Sequence, residues 1–240
     1  MERKVAYITG GTKGIGLGIA KALLDSGYKV AISGRNLTQA EQAAVTLAGE
    51  LYQESVLPIQ SDVGVADSER AAIARIIDQW DRLDVVVANA GVGIFKPIDE
   101  LSADDWNQMM NTNLTGVFHT CSAAIPTLKE SRGYIFTIGS LAGVNFFAKG
   151  AGYNATKYGI VGFSQAMMLD LRPYGIKVTT IMPGSVSSFF NANIPSEADQ
   201  WKIQPEDIGQ LIIDLLAMPA RTLPSKIEVR PAQPQQIKWP

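Results

Sequence analysis

Short apolar runs alternate with stretches of helical periodicity along most of the chain, beginning with Val5-Ala6-Tyr7-Ile8. Runs this short are strand-like, and a strand buried on both faces is apolar throughout instead of alternating. The pattern predicts strands over 5–8, 30–33, 56–60, 85–88, 134–138, 178–182 and 226–229. After the first strand, Ile15, Ile19 and Leu23 recur every four residues and form the core-facing stripe of a helix. Further helices are predicted over 38–52, 67–80, 103–128, 153–171 and 205–217, the one over 153–171 stopped by Pro173 and Gly175. Strand and helix alternating in this way imply an α/β fold, a doubly wound parallel seven-stranded sheet flanked by helices. Two stretches break the rhythm. Residues 185–204 are polar and aperiodic yet carry Phe189, Phe190, Ile194 and Trp201, which reads as a long substrate loop or lid. After Val229 the tail Arg230-Pro231-Ala232-Gln233-Pro234 cannot continue a strand or helix far. No linker, repeat or composition shift divides the chain, so residues 1–240 are expected to form a single domain.

Composition narrows the classes. Hydrophobic residues make up 46% and charged residues 18%, enough apolar material for a sizeable core. Lys and Arg number 21 against 23 Asp and Glu, so no basic excess points to nucleic acid as a partner. One cysteine, Cys121, excludes an internal disulfide framework and fits a reducing compartment. One histidine, His119, beside that lone thiol argues against a His/Cys zinc site, and no metal is expected. It also leaves His119 as the only possible base for a Ser-His-Asp triad. Glu2-Arg3-Lys4 before an apolar run faintly imitates a signal peptide, but Gly10, Gly11 and Lys13 cut that run short. The longest apolar stretch, 85–94, falls below a membrane span. The expectation is a soluble, cytoplasmic chain with no membrane partner.

The strongest local signal follows the first strand: Thr9-Gly10-Gly11-Thr12-Lys13-Gly14-Ile15-Gly16 leads straight into a helix. Backbone N–H groups in such a turn can approach a diphosphate, and the helix dipole favours its negative charge. A Walker A loop needs Gly-Lys-Ser/Thr at its end, whereas Leu17 follows Gly16. The glycine spacing is G-x-x-x-G-x-G rather than G-x-G-x-x-G, and tight helix–strand packing alone could also demand it. Roughly 20 residues past such a turn an acidic side chain selects NAD by holding the ribose hydroxyls. Gly34 stands there instead, with Arg35 beside it, so the space is open and the guanidinium can fork onto a 2′-phosphate. Lys13 adds a second positive charge. NADP(H) is therefore the predicted cofactor, the plain alternative being two solvated surface cations.

Tyr153 and Lys157 are spaced i, i+4 and so share one helix face. Thirteen residues before Tyr153, Ser140 lies just past a predicted strand, at the strand end where parallel folds place chemistry. Thr9-Gly10-x-x-x-Gly14-Ile15-Gly16, Asp62-Val63, Asn89-Ala90-Gly91, Asn113 in Asn-Leu-Thr-Gly, Ser140, Tyr153-x-x-x-Lys157 and Pro183-Gly184 occur in that order. In this combination the chain resembles the short-chain dehydrogenase/reductase family over essentially its whole length. The resemblance implies a single-domain Rossmann fold and a catalytic set of Asn113, Ser140, Tyr153 and Lys157. Tyr153 would protonate the carbonyl oxygen while NADPH delivers hydride, Lys157 would lower the tyrosine pKa and hold the nicotinamide ribose, and Ser140 would polarise the oxygen. Asn113 would position a relay water. The implied cofactor set is Gly10, Thr12, Lys13, Gly14, Ile15 and Gly16 at the turn, Arg35, Asp62 and Val63 around the adenosine, and Asn89, Ala90 and Gly91 beneath the dinucleotide. Pro183, Gly184 and Val186 would meet the carboxamide, and Tyr153 and Lys157 the ribose. Three departures stand out: Ala88 where the family often has Asn, Ser187 where Thr is usual, and Glu228-Val229-Arg230-Pro231 in place of a C-terminal Gly-Gly.

Plainer roles accompany these. Ser140 could simply cap a turn, Asn113 could satisfy nearby main chain, and Asp62 could be turn chemistry. His119 and Cys121 are read as structural. The substrate is expected between 91–93, 144–147 and the 185–204 loop, where apolar side chains favour a ketone with hydrophobic bulk. Within the family, 3-oxoacyl reduction ranks first by frequency, the substrate being free or linked to acyl-carrier protein or coenzyme A. A 3-hydroxy acid dehydrogenase or a broad carbonyl reductase is the alternative. Lys129, Arg132, Lys149 and Arg172 could face an acidic carrier but form no obvious cluster. Epimerases and dehydratases share the Tyr/Lys pair but run longer, and a non-catalytic NADP sensor should have lost part of the catalytic set. A homodimer or homotetramer through the helices over 103–128 and 153–171 is expected, with Val161, Phe163, Met167 and Met168 offering apolar surface.

Overall fold

The structure is a computed structural model that describes residues 3–49 and 52–233. Seven strands, β1 (Val5–Thr9), β2 (Lys29–Gly34), β3 (Val56–Gln60), β4 (Val85–Ala88), β5 (Tyr134–Ile138), β6 (Lys177–Pro183) and β7 (Lys226–Val229), form one sheet. Its order is β3-β2-β1-β4-β5-β6-β7, every neighbouring pair parallel. Each strand lies where the apolar runs predict it, within one residue at each end. This is a single α/β Rossmann-type sheet. The chain leaves β1 in one direction and returns at β4 on its other side, so the crevice above β1 and β4 is the topological switch point where such folds bind ligands.

Alternation along the strands builds two core layers. Val5 and Tyr7 face one side with α3 (Ala66–Trp80) and residues of α5 (Gly116–Ser131) and α6 (Ala151–Leu171). Ala6 and Ile8 face the other, with α1 (Gly14–Asp25), α2 (Leu37–Ala48) and α7 (Pro205–Ala217). The stripe read from sequence is buried at Ile19 and Leu23, with Ile15 packed at its edge.

The helices differ from expectation in three places. The helix predicted over 38–52 ends at Ala48 because Gly49 turns the chain at φ 73°. Residues 50–51 of that expectation lie outside the described residues, as does the tail from residue 234 and the first two residues. The helix predicted over 103–128 contains α4 (Ala103–Met110), a π turn (Asn111–Thr115) and then α5. Such a turn inserts a residue into the α ladder and is common at functional sites. Finally, 185–204 holds two short 3₁₀ turns and is closed at its neck by Val186 pairing with Ile203, where Ser187 N donates to Ile203 O at 2.9 Å and Ile203 N to Ser185 O at 3.1 Å. Among the described residues, no helix is long and apolar enough to cross a membrane.

Helices α1 and α7 approach more closely than side chains allow. A Cβ on Gly209 would fall 2.8 Å from both Ala22 Cβ and Gly18 O, whereas one on Gly162 of α6 would meet nothing within 4 Å. Gly209→Val should therefore cost about 1–3 kcal/mol by forcing the helices apart. Gly162→Ala should gain up to ~1 kcal/mol from helix propensity. Urea unfolding of both variants beside the wild type measures the contrast.

Candidate active site

The turn after β1 takes its shape from contacts across the switch point. Gly10 and Gly14 adopt φ values of 62° and 54°, and a Cβ on Gly16 would lie 2.4 Å from Gly10 O and 2.5 Å from Asn89 Nδ2. Asn89 Nδ2 donates to Thr9 O at 2.9 Å and to Gly10 O at 3.1 Å. In return Thr9 Oγ1 accepts from Asn89 N at 3.0 Å and Ala90 N at 3.1 Å. Thr9 is thus the clasp between β1 and β4, a role its place in the motif did not reveal. The glycines do serve packing, but they leave more than packing behind. Lys13, the N-cap of α1, makes no side-chain cap bond, so the first turn of α1 keeps its N–H groups free of side-chain acceptors. A narrow cradle with a helix N-terminus behind it suits a diphosphate.

At the end of β2 the expected open space is absent: a Cβ on Gly34 would press on Thr12 Cγ2 at 2.9 Å. Gly34 is small because Thr12 packs over it, not simply to leave room for a ligand. Arg35 and Lys13 are both exposed, and neither joins an ion pair among the described residues. Asp62 Oδ1 accepts from Gly64 N at 2.9 Å, so the carboxylate does shape its own turn. Val63 is buried beneath Gly116, and its carbonyl accepts from His119 Nδ1 at 2.9 Å. His119 is structural, and Cys121 is a buried thiol pushed up to about 12 by burial. Among the described residues neither hydrogen-bonds to Ser140, Tyr153 or Lys157.

Three elements converge on that site. Helix α6 carries Tyr153 and Lys157 on one buried face, at 9% and 5% exposure. The end of β5 delivers Ser140, whose Oγ accepts from Ala142 N at 3.1 Å, capping the 141–143 turn, and whose hydroxyl is near enough to the Tyr153 phenol to oppose the rise of its pKa. The π turn points Asn113 inward, where Oδ1 accepts from Val92 N at 2.7 Å and Nδ2 donates to Val92 O at 2.8 Å and Thr156 Oγ1 at 3.1 Å. Its amide is a clamp on the main chain after β4, which explains the interrupted helix. Gly91 closes the group: a Cβ there would sit 3.4 Å from Asn113 Oδ1 and 3.8 Å from Lys157 Nζ. Pro183 ends β6, and Gly184 and Val186 follow it, with Gly184 N donating to Val229 O at 2.8 Å. Thr156, which links Asn113 to Tyr153 O, went unnoticed in the sequence because Thr inside a helix carries no distinguishing signal.

The electrostatics correct one expectation. Lys157 was expected to draw the tyrosine pKa down. Burial instead dominates both groups, pushing Tyr153 up to about 12 against the opposing Ser140 hydroxyl, and Lys157 down to about 8. The Lys157 ammonium lies 5.7 Å from the Tyr153 ring centroid and spends a bond on Ile138 O at 2.9 Å. Over the phenol lies an aromatic wall. Phe95 meets Tyr153 edge to face at 5.4 Å, Phe190 lies 5.5 Å away, and Phe147 packs on Phe95 at 5.5 Å. The apolar side chains of 185–204 are therefore divided: Phe190 covers Tyr153 and Trp201 is half-buried, while Phe189 and Ile194 remain exposed.

Residues 4–199 match the family model of short chain dehydrogenases. The chain belongs to the short-chain dehydrogenase family and is an oxidoreductase of that family. An uncharacterized oxidoreductase of Staphylococcus aureus is 32% identical over 95% of this chain and 97% of its own length. An alcohol dehydrogenase from the archaeon Thermococcus sibiricus, complexed with 5-hydroxy-NADP, is 29% identical with a TM-score of 0.90, covering 99% of this chain and 100% of that one. A 3-ketoacyl-ACP reductase from Sinorhizobium meliloti is also 29% identical, with a TM-score of 0.85 and coverage of 94% and 96%. Short-chain dehydrogenases work with a nicotinamide cofactor, and the cradle at the switch point is where this chain would hold it.

A lysine whose folded pKa is about 8 makes stability depend on pH. The unfolded chain keeps that proton up to about 10.5, so between the two values the unfolded state binds more protons and stability rises with pH. Up to about pH 8.5, below the range where the raised Cys121 thiol and tyrosines oppose it, the urea midpoint should accordingly climb in the wild type. In Lys157→Met the climb should flatten.

Proposed function

We propose that this short-chain dehydrogenase uses NADP(H) to reduce a ketone to a secondary alcohol, with Tyr153 as acid and base. The observation that carries this reading is the Tyr153 phenol itself, buried and protonated, beside the Ser140 hydroxyl and one helical turn from Lys157. When bound, the dinucleotide supplies the hydride. The chain's own residues do the rest. Ser140 and Tyr153 donate hydrogen bonds to the carbonyl oxygen, polarising it in a site the aromatic wall keeps dry. Tyr153 then passes its proton to the developing alkoxide, a much stronger base than a phenolate of pKa about 12. Lys157 sits close enough to Gly91 to hold a ribose hydroxyl and to stabilise the phenolate left behind. Arg35 and Lys13, exposed and without ion-pair partners among the described residues, are available to a 2′-phosphate, and Asp62 to the adenine. The Thermococcus enzyme's 5-hydroxy-NADP complex supports the same cofactor choice.

The pocket favours uncharged, apolar bulk next to the carbonyl. Phe95, Phe190, Val92, Ile94, Leu101 and Met109 cluster around Tyr153, and the nearby Lys157 ammonium already bonds Ile138 O. A 3-oxoacyl thioester, free or carrier-linked, suits such a wall better than a free 3-hydroxy acid, whose carboxylate would lack a cation. The exposed edges of Phe95 and Phe147 favour a second reading, a broad reductase of aryl ketones. Because Phe190 rests on Tyr153, the 185–204 loop must swing aside to admit either substrate and can then close over it.

Turnover of NADPH with 3-oxoacyl thioesters, 3-oxo acids and aryl ketones tests this directly. Tyr153→Phe should abolish turnover while leaving cofactor affinity within about twofold, since only the proton donor is lost. Substrate-independent behaviour of both proteins would favour a non-catalytic sensor. Fluorescence titration should show NADPH bound more tightly than NADH. Arg35→Ala should weaken NADPH by roughly 10- to 150-fold with little effect on NADH, the size of one lost charge-assisted contact. Equal wild-type affinities would overturn the cofactor choice.

The proposed assembly is a homodimer or homotetramer through α5 and α6. Met167, at 6% exposure, packs into the chain's own core and contributes only to the lining of the groove between these helices. The outward apolar residues are Phe118, Tyr158 and Leu169, flanking a shallow groove that Phe118, Ile125 and Phe163 line. Sedimentation velocity should give a species of at least two chains at micromolar concentration. Phe118→Asp should shift it toward monomer.

A further inference from the structure

Glu69 is 0% exposed, on the sheet-facing side of α3, where its buried neighbours Ala72, Ile73 and Ile76 are apolar. A carboxylate in such a place ordinarily needs a cation. Among the described residues no ion pair includes Glu69; hydroxyls surround it instead. Ser61 Oγ donates to Oε1 at 2.6 Å, Thr120 Oγ1 to Oε2 at 2.8 Å, and Tyr7 OH approaches both oxygens at 3.1 and 3.2 Å. The titratable groups facing it are the Tyr7 phenol, raised well above its usual range mainly by burial and then by the carboxylate, and the Cys121 thiol. Both stay neutral, so the donors remain donors.

What these partners carry gives the cluster its meaning. Tyr7 OH also reaches Ser33 Oγ at 3.0 Å, and Ser33 precedes Gly34 and Arg35. The carbonyl of Ser33 accepts from Gly11 N in the glycine turn at 3.1 Å. Ser61 precedes Asp62, and its N–H bonds Gly34 O at 3.0 Å. Thr120 is adjacent to His119, which holds the Val63 carbonyl. One buried carboxylate therefore ties together the ends of β2 and β3 and the α5 turn that backs them.

We propose that Glu69 is a positioning residue for the adenosine half of the dinucleotide site, fixing the β2 and β3 ends so that Arg35 and Asp62 address one ligand. This rests on the cofactor reading given above. Glu69 touches no ligand; it acts through Ser33 and Ser61. A merely space-filling role would leave the two halves of the cofactor site equally affected by its loss.

Calorimetric titration of wild type, Glu69→Gln and Thr120→Val with 2′-phospho-ADP-ribose, ADP-ribose and nicotinamide mononucleotide separates the two. Glu69→Gln should weaken both adenosine fragments by about 5- to 15-fold, the scale of one buried hydrogen bond, and leave the mononucleotide unchanged. Thr120→Val, which removes one donor to the carboxylate from the side away from the ligand, should shift the same fragments in the same direction by less. It keeps the test open should Glu69→Gln fail to fold. In turnover the Michaelis constant for NADPH should rise while that for the ketone and kcat at saturation hold. Unchanged adenosine-fragment affinity in folded variants, or equal losses for all three ligands, would overturn the proposal. Wild-type protein that binds ADP-ribose as tightly as its 2′-phosphate would remove only the NADP preference, and the Glu69 effect would still be read on ADP-ribose.

Discussion

Burial of the Lys157 ammonium is the constraint around which the site is arranged. A lysine at 5% exposure, with burial lowering its pKa to about 8, survives only where the surrounding chain supplies acceptors. The acceptor in hand is Ile138 O at the end of β5, and that bond draws α6 against the sheet edge. With α6 so placed, Tyr153 one turn earlier falls beside Ser140, the first residue beyond the β5 end to leave the sheet with a hydroxyl. Lys157 Nζ and Asn113 Oδ1 flank Gly91, where a Cβ would sit 3.8 and 3.4 Å from them. The same desolvation that strains the lysine raises the phenol, so proton donation relies on the developing alkoxide being the stronger base.

The second half of the site is held by a different device. No helix crosses above β1 and β4, where connections run to opposite sides, and the exposed backbone there has to be satisfied locally. Thr9 and Asn89 do this reciprocally, binding the glycine turn to the β4 end without occupying the crevice. The π turn at Asn111–Thr115 performs the matching task on the other flank, giving up α-helical regularity so that Asn113 can pair with both main-chain groups of Val92. Behind these lies the hydroxyl ring around Glu69, a polar knot inside an apolar layer.

Much of this was legible from residue order alone. The seven strands and the parallel fold follow from apolar runs and turn residues because strand burial and backbone turns depend on nearest neighbours along the chain, and the family resemblance rests on the order of the motifs between them. Ser140, Tyr153 and Lys157 could be paired for the same reason, since an i, i+4 spacing and a strand end are local facts. What residue order could not supply was the sum of distant contributions. The sign of the tyrosine shift depends on how much water the folded chain excludes, and Phe95 and Phe190, far apart in the sequence, both pack on the ring. Gly34 looked like a vacancy beside Arg35, yet Thr12 from another strand's turn fills it. Nothing in residue order sets Glu69 apart from other acidic residues, and only the packing of β1, β3 and α5 around it makes it a buried carboxylate. Periodicity and turn chemistry determined the elements and the reacting groups; desolvation and long-range hydrogen bonding, which exist only once those elements meet, decided their protonation states and their partners.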